Sequence, residues 1–270
     1  MNLELEDKVA VVTGASKGIG LAVTRTLLAE GVRVVATSRT RTAELDELAA
    51  KGYDLVHVAA DLMDPRAPAD VVARAAETFG GLDLLVNNAG GPPPGDRLPH
   101  AGFLARTDAH WRDMLELNLL AAVRACRAAL PLLLERGGGA IVNVSSANGR
   151  APATINLDYA AAKAALINLT KALSEEFGGR GVRVNGVCPG PTLTPWWTDA
   201  GGAGDILAGL TGSDRDEVLA TVAPEMMALT TGRLATPQEV ADAVVFLCSP
   251  RCASTTGTEL VVDGGLLKAT

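Results

Sequence analysis

Short β-branched apolar runs alternate with helical periodicity along the whole chain. KVAVVTG, over Val9 to Val12, predicts a strand, followed by a glycine turn and the helix LAVTRTLLAEG. VRVVATS (32–38) predicts a second strand, with a helix carrying Leu45 and Leu48 after it. LVHVAAD (55–61) and LDLLVNN (82–88) predict the third and fourth, separated by a helix over Val71 to Phe79. A glycine- and proline-rich loop, GGPPPGDRLPH, leads to Thr107, a suitable N-cap for a long helix carrying Trp111, Met114 and Leu115. GAIVNVS, VRVNGVC and TELVVD predict strands five to seven, with a helix from Tyr159 towards Phe177 after the fifth. Runs apolar on both faces mark parallel strands buried from both sides. Repeated βα units imply right-handed crossovers. The expected fold class is therefore α/β: a doubly wound, seven-stranded parallel sheet flanked by helices, in a single domain over 1–270.

The rhythm fails between Thr192 and Gly232, where TLTPWWTDAGGAGDILAGLTGSDRDEV is too long for a plain βα connection. Ligands in such folds sit beyond the carboxyl ends of the strands. This segment follows strand six there, so a lid insertion is expected over about 192–232. Trp196 and Trp197 are its candidate substrate contacts, because adjacent indoles need something apolar to cover.

Composition narrows the partners. Of 270 residues 48% are hydrophobic, enough for one substantial core without a second domain. A formal net charge of −7 argues against nucleic acid or an anionic membrane as the main partner. No apolar run approaches the ~18 residues of a membrane span. The acidic start MNLELEDK lacks the regions of a signal peptide, so a cytoplasmic location is expected. Cys126, Cys188, Cys248 and Cys252 show neither metal-ligand nor disulfide spacing and read as small core residues in a reducing compartment. His57, His100 and His110 are scattered; no metal is expected, and they read as ordinary surface or structural histidines.

Two places carry chemistry. TGASKGIG, Thr13 to Gly20, sits at the first strand-to-helix turn, where glycines let backbone N–H groups and a helix N-terminus meet a pyrophosphate. The spacing Gly14-x-x-x-Gly18-x-Gly20 differs from the generic G-x-G-x-x-G and shares only its physics. Strand two ends in Ser38-Arg39, with no acid from Ala36 to Thr42 to accept from a ribose 2′-hydroxyl. A serine and a guanidinium suit a 2′-phosphate instead, with Lys17 as a second cation. Asp61, at the end of strand three, is placed to accept from an adenine amino group.

The other place is DYAAAKAAL, where Tyr159 and Lys163 stand four residues apart on one helix face, with Ser146 a short loop upstream. Tyr53 and Tyr159 are the only tyrosines, so this pairing is no by-product of abundance. A cation about 5 Å from the phenol, at an effective dielectric of about 20, favours the phenolate by roughly 3 kcal/mol, or about two pKa units. The spacing thus predicts a tyrosine with a depressed pKa, able to act as a general acid and base.

With these pieces in place, the chain resembles the short-chain dehydrogenase/reductase family over essentially its full length. The matching elements are TGASKGIG, Asp61-Leu62, NNAG (Asn87 to Gly90), Asn118 and Ser146. Tyr159-x-x-x-Lys163, Asn185, Pro189-Gly190 with Thr194, and TGTELVVDGG complete them. The resemblance implies a single-domain Rossmann fold and interconversion of a carbonyl and a secondary alcohol, and the Ser38-Arg39 end of strand two points to NADP(H) in preference to NAD(H) as the cofactor. It implies a tetrad in which Tyr159 exchanges the proton, Ser146 positions the carbonyl, Lys163 depresses the tyrosine pKa and holds the nicotinamide ribose, and Asn118 links Lys163 to solvent. The cofactor set it implies is Gly14, Ser16, Lys17, Gly18, Ile19, Gly20, Ser38, Arg39, Asp61, Leu62, Asn88, Ala89 and Gly90, with Tyr159 and Lys163. Pro189, Gly190, Thr192 and Thr194 would meet the nicotinamide end. Two alternatives stay open: a 3-oxoacyl-thioester (acyl carrier protein) reductase, and a non-catalytic dinucleotide-sensing protein. A homotetramer is expected, with a dimer as runner-up, through arcs carrying Leu119, Ala122, Val123, Ala161, Ala164 and Leu166.

Overall fold

Seven strands form one parallel sheet: β1 (Val9–Thr13), β2 (Arg33–Ser38), β3 (Leu55–Ala59), β4 (Leu84–Asn87), β5 (Gly139–Val144), β6 (Val182–Pro189) and β7 (Glu259–Val262). Their order is β3-β2-β1-β4-β5-β6-β7. The order reverses between β1 and β4, so the crevice beyond their carboxyl ends is the topological switch point where such sheets bind ligands. The computed structural model describes every residue except Arg97, Leu98, His100, Ala101, Ala269 and Thr270. The reading of His100 therefore lies outside the described residues.

Alternation along the strands explains why each run is apolar throughout. Ala10 and Val12 point to one face, where α1 (Gly18–Ala29) and the late helix Pro237–Cys248 contribute Leu27, Val240 and Val244. Val9 and Val11 point to the other, where α3 (Ala67–Phe79) and α4 (Asp108–Glu135) contribute Val71, Ala75, Ala129 and Leu133. Fully burying each such valine or leucine stabilises the fold by about 1.5–3 kcal/mol before entropy is charged. The short helix α2 (Ala43–Ala50) covers the sheet edge beside β3 through Leu45 and Leu48.

Helix α4 starts as the sequence predicts. Thr107 caps it, and His110 closes a capping box by accepting from the Thr107 backbone N–H, which gives His110 a structural role. The helix runs for 28 residues and, by length and composition alone, could cross a membrane. Here its inner face, including Met114, Ala121, Ala125 and Leu133, is buried in the domain core. A π-helical turn at Glu116–Leu120 interrupts it around Asn118. The next helix, α5 (Leu157–Phe177), follows β5 and carries Tyr159 and Lys163. Of the apolar arcs expected for assembly, Ala122 and Leu166 are buried inside the subunit, whereas Ala161 and Ala164 remain exposed.

The segment after β6 is folded. Thr192 bridges to Ala235, a single turn spans Pro195–Thr198, α6 (Ala203–Thr211) follows, and a helical stretch covers 215–226. It builds a small core of its own from Trp197, Ala203, Val218, Ala223, Leu229 and Leu234. The helix Pro237–Cys248, α7, then returns the chain to the sheet.

Candidate active site

Ser146 lies just beyond the end of β5, and two contacts fix it against α5. The Ser145 hydroxyl donates to the Lys163 carbonyl at 2.9 Å. At Gly149 a Cβ would stand 2.9 Å from the Lys163 carbonyl carbon, so only glycine lets this loop lie so close to the helix. This places the Ser146 hydroxyl near the Tyr159 phenol, close enough to act on its pKa. Lys163 Nζ donates to the Val144 carbonyl at 2.9 Å and lies 5.7 Å from the centre of the Tyr159 ring. Asn118 comes in from the π turn of α4. Its amide group donates to the Gly91 and Met114 carbonyls, and its oxygen accepts from the Gly91 N–H at 2.8 Å. A Cβ on Gly90 would sit 2.8 Å from Asn118 Oδ1 and 2.9 Å from Lys163 Nζ, so Asn118 and Lys163 flank its bare Cα. The chain thus brings Asn118, Ser146, Tyr159 and Lys163 to one place.

The electrostatics differ from the sequence expectation. Burial raises the Tyr159 pKa above its ordinary value, and the Ser146 hydroxyl only partly offsets this. Burial also pushes Lys163 down to about 8. The predicted depression of Tyr159 by Lys163 is therefore not a property of the chain alone. Helical spacing brings the two groups together, with Lys163 Nζ 5.7 Å from the ring centre, but does not show their dryness, and dryness favours the neutral form of both. Held protonated, Tyr159 is set to donate a proton to an oxygen placed beside Ser146.

At the first βα turn, Gly14 and Gly18 take φ of +65° and +54°, a region that residues with a Cβ rarely adopt. A Cβ on Gly20 would lie 2.2 Å from the Gly14 carbonyl oxygen, so the helix start packs hard on the turn. Asn88 ties the turn to β4: its amide group donates to the Thr13 carbonyl at 2.9 Å and the Gly14 carbonyl at 3.2 Å. The Thr13 hydroxyl accepts from the Asn88 and Ala89 N–H groups, both at 3.0 Å. No side chain caps the N-terminus of α1. Its leading N–H groups, with Lys17 exposed above them, form a donor set that fits the diphosphate of a dinucleotide. Ser16, Lys17, Gly18 and Ile19 are the residues that would hold it.

Comparison with known proteins agrees with this site. A family model described as enoyl-(acyl carrier protein) reductase matches residues 14–267. The 3-oxoacyl-(acyl-carrier-protein) reductase FabG of Escherichia coli (strain K12) is 35% identical over 268 residues, covering 98% of this chain and 99% of its own. A putative ketoacyl reductase of the granaticin polyketide synthase from Streptomyces violaceoruber is 37% identical over 264 residues, 96% of each chain. Among solved structures, L-sorbose reductase from Gluconobacter frateurii, complexed with NADPH and L-sorbose, superposes with a TM-score of 0.90. Its identity is 35%, and all of both chains is covered.

The chain belongs to the short-chain dehydrogenase/reductase family. As a member it is an oxidoreductase acting on carbonyl and hydroxyl groups.

Elsewhere in this short-chain dehydrogenase/reductase the predicted residues take more varied roles. Ser38 is buried, and its hydroxyl is already engaged by the Thr40 carbonyl and the His57 imidazole, both at 2.8 Å. Arg39 is exposed, whereas Arg41 pairs with Asp46 at 2.6 Å. Asp61 lies two residues past β3, exposed, accepting from the Met63 N–H, with Leu62 buried behind it. At the other end, a Cβ on Gly190 would meet Asp263 Cα at 2.6 Å, so β6 and the chain after β7 converge there. The buried Thr192 hydroxyl donates to the Gly190 carbonyl, which occupies its only proton. The expectation for the two indoles separates: Trp197 is 6% exposed in the core of the 192–232 segment, whereas Trp196 is 38% exposed and packs edge-on against it.

Several supporting residues escaped the sequence reading. A buried polar chain runs from Asn87 through Asn143 to Thr170, joining β4, β5 and α5. The nearly buried Arg106 guanidinium joins Asp96 at 2.8 Å to Asp158, the residue before Tyr159. Cys188 donates to the Glu259 carboxyl at 3.1 Å, joining β6 to β7. Asn143, Thr170 and Glu259 carry a weak signal, a polar residue within or beginning an otherwise apolar run; Arg106 carries none.

Proposed function

We propose that the protein is an NADPH-dependent reductase that interconverts a ketone and a secondary alcohol, with Tyr159 as proton donor and acceptor. The Ser146–Tyr159 hydroxyl pair at the carboxyl end of β5, beside buried Lys163, carries this reading. The cofactor, when bound, supplies or takes up the hydride. Ser146 and Tyr159 hold the substrate oxygen between two hydroxyls. Tyr159 passes its proton to that oxygen in reduction and recovers it in oxidation. Lys163, fixed by the Val144 carbonyl, supplies donors for ribose hydroxyls, and Asn118 braces the Gly90–Gly91 backbone beside it. Gly14, Ser16, Lys17, Gly18 and Ile19 line the diphosphate position, Arg39 stands at the 2′-phosphate end, and the 192–232 segment covers the substrate.

NADPH as the cofactor is supported by the lack of an acid after β2 and by the NADPH complex of the sorbose reductase relative. The partner is a small carbonyl or alcohol compound. The four cysteines are buried free thiols, in keeping with a reducing cytoplasmic setting. A 3-oxoacyl-thioester substrate is the second reading, favoured by the acyl-carrier-protein reductase relatives. Single-turnover oxidation of NADPH against simple ketones, ketoses and a 3-oxoacyl thioester separates these. Turnover of any class supports the oxidoreductase reading, and the preferred class names the substrate. Tight cofactor binding without turnover on every class would instead favour a dinucleotide sensor.

A further inference from the structure

His57 stands on β3, where its backbone is in register with Ala36 of β2, and its side chain reaches back to the end of that strand. Its Nε2 is 2.8 Å from Ser38 Oγ, which is also 2.8 Å from the Thr40 carbonyl. A serine hydroxyl has one proton and two lone pairs. Both contacts are satisfied together only if the Ser38 proton goes to Thr40 and the imidazole Nε2–H donates to Ser38. That arrangement leaves Ser38 without a proton for an anion. What this end of the crevice can offer a 2′-phosphate is positive charge: the exposed Arg39, and the imidazole behind Ser38 once it is protonated.

We propose that His57 is a further basic group of the 2′-phosphate site, acting through Ser38, so that discrimination between phosphorylated and unphosphorylated cofactor sharpens as the pH falls. This rests on the reading that Ser38 and Arg39 mark the 2′-phosphate end. The charged groups that act on His57 are Arg41, from the loop after β2, and Asp46, on α2. They pair with each other, which mutes both. No strand lies on the far side, because β3 is the sheet edge. Burial first, then Arg41, lower the imidazole pKa, and Asp46 opposes them. The imidazole is accordingly neutral near pH 7 in the free chain. A dianion on the other side of Ser38 favours the imidazolium. By reciprocity, a ligand that draws a proton onto His57 binds more tightly when that proton is present. A 2′-hydroxyl has no charge and gains nothing from it.

The phosphate's own second protonation, near pH ~6, works in the opposite direction and needs a baseline. His57→Gln supplies it, since the amide can still donate to Ser38 Oγ but does not titrate. The experiment is calorimetric titration with adenosine 2′,5′-bisphosphate and with ADP, between about pH 8 and about pH 5.5. On lowering the pH, the affinity of the unmodified protein for the bisphosphate should gain at least about fivefold relative to His57→Gln, with no such gain for ADP. The His57 imidazole resonance should titrate at higher pH with the bisphosphate bound than with ADP. Parallel pH profiles for the two proteins, or an imidazole titration unmoved by the bisphosphate, would overturn the proposal. Arg39→Ala is the control on the underlying reading. If it fails to weaken bisphosphate binding at about pH 8, where His57 is neutral, the 2′-phosphate lies elsewhere and both readings fall. If it does weaken binding while the profiles stay parallel, His57 alone is wrong.

Discussion

Tyr159 is half-buried beside Ser146, and desolvation of its phenol raises the pKa, which keeps it protonated through the neutral range. Tyr159→Phe keeps the ring and removes the proton, so kcat should fall by on the order of a thousandfold or more while cofactor affinity holds. Steady-state rates alongside cofactor titration check this; near-native turnover would remove Tyr159 from the chemistry. Glu259 makes a second residue-scale prediction. Its carboxyl, whose ordinary value is 4.5, is pushed up to about 7 by burial, against the Cys188 hydrogen bond and Arg150. The folded chain therefore holds a proton that the unfolded chain has released. Stability present below about pH 4.5 should be lost as the pH rises through about 7. Glu259→Gln should flatten that part of the Tm profile, and an unchanged slope would contradict the assignment. The Tyr159–Lys163 pair was legible because helical spacing sets which side chains meet. The sign of the tyrosine shift was not, because it depends on water exclusion by residues distant in sequence.

Strands and helices were legible for a related reason: apolar runs of period two and helical stripes are local, and each strand faces two cores. The folding of 192–232 was hidden because its core draws single residues from six separate positions between Trp197 and Leu234. The π turn around Asn118 was hidden too, since a single extra residue in a helix leaves no compositional mark. The turn between β1 and α1 gives the element-scale prediction. A methyl at position 20 would press on the Gly14 carbonyl at 2.2 Å and on Asn88 Nδ2 at 2.4 Å, and backbone must move to admit it. Gly20→Ala should cost about 1–3 kcal/mol of stability and weaken dinucleotide binding together with it. Thermal unfolding and cofactor titration measure the two, and an unperturbed variant would show that the turn is looser than described.

At the scale of the whole molecule, the outer faces of α4 and α5 remain to be covered. Leu120 is 37% exposed, and α5 shows Ala161, Ala164 and Asn168 at helical spacing. Small residues allow helices to approach closely, and a two-fold axis would set each face against its own copy. The expected assembly is a homotetramer in which these helices pair, with a dimer as the runner-up. Ala164→Arg should shift the mass in light scattering to a smaller species. A monomeric mass for the unmodified protein would dispose of the idea. The buried positions Ala122 and Leu166 show why the sequence drew this face too wide: helical periodicity marks an apolar stripe without saying which neighbour covers it.

Where the glycine turn meets the start of the 192–232 segment, a Cβ on Gly18 would lie 3.2 Å from Thr194 Cγ2 and 3.6 Å from Pro195 Cδ. The two walls of the crevice touch at that point, beside the turn that would hold a diphosphate. The expected outcome is an ordered sequence, dinucleotide first in and last out, because the substrate wall packs directly on the cofactor turn. Product inhibition should follow suit, with oxidised cofactor competing against reduced cofactor, and the alcohol competing with neither substrate in the simple sense. Random-order patterns would mean that Thr194 swings clear on every cycle without regard to what is bound.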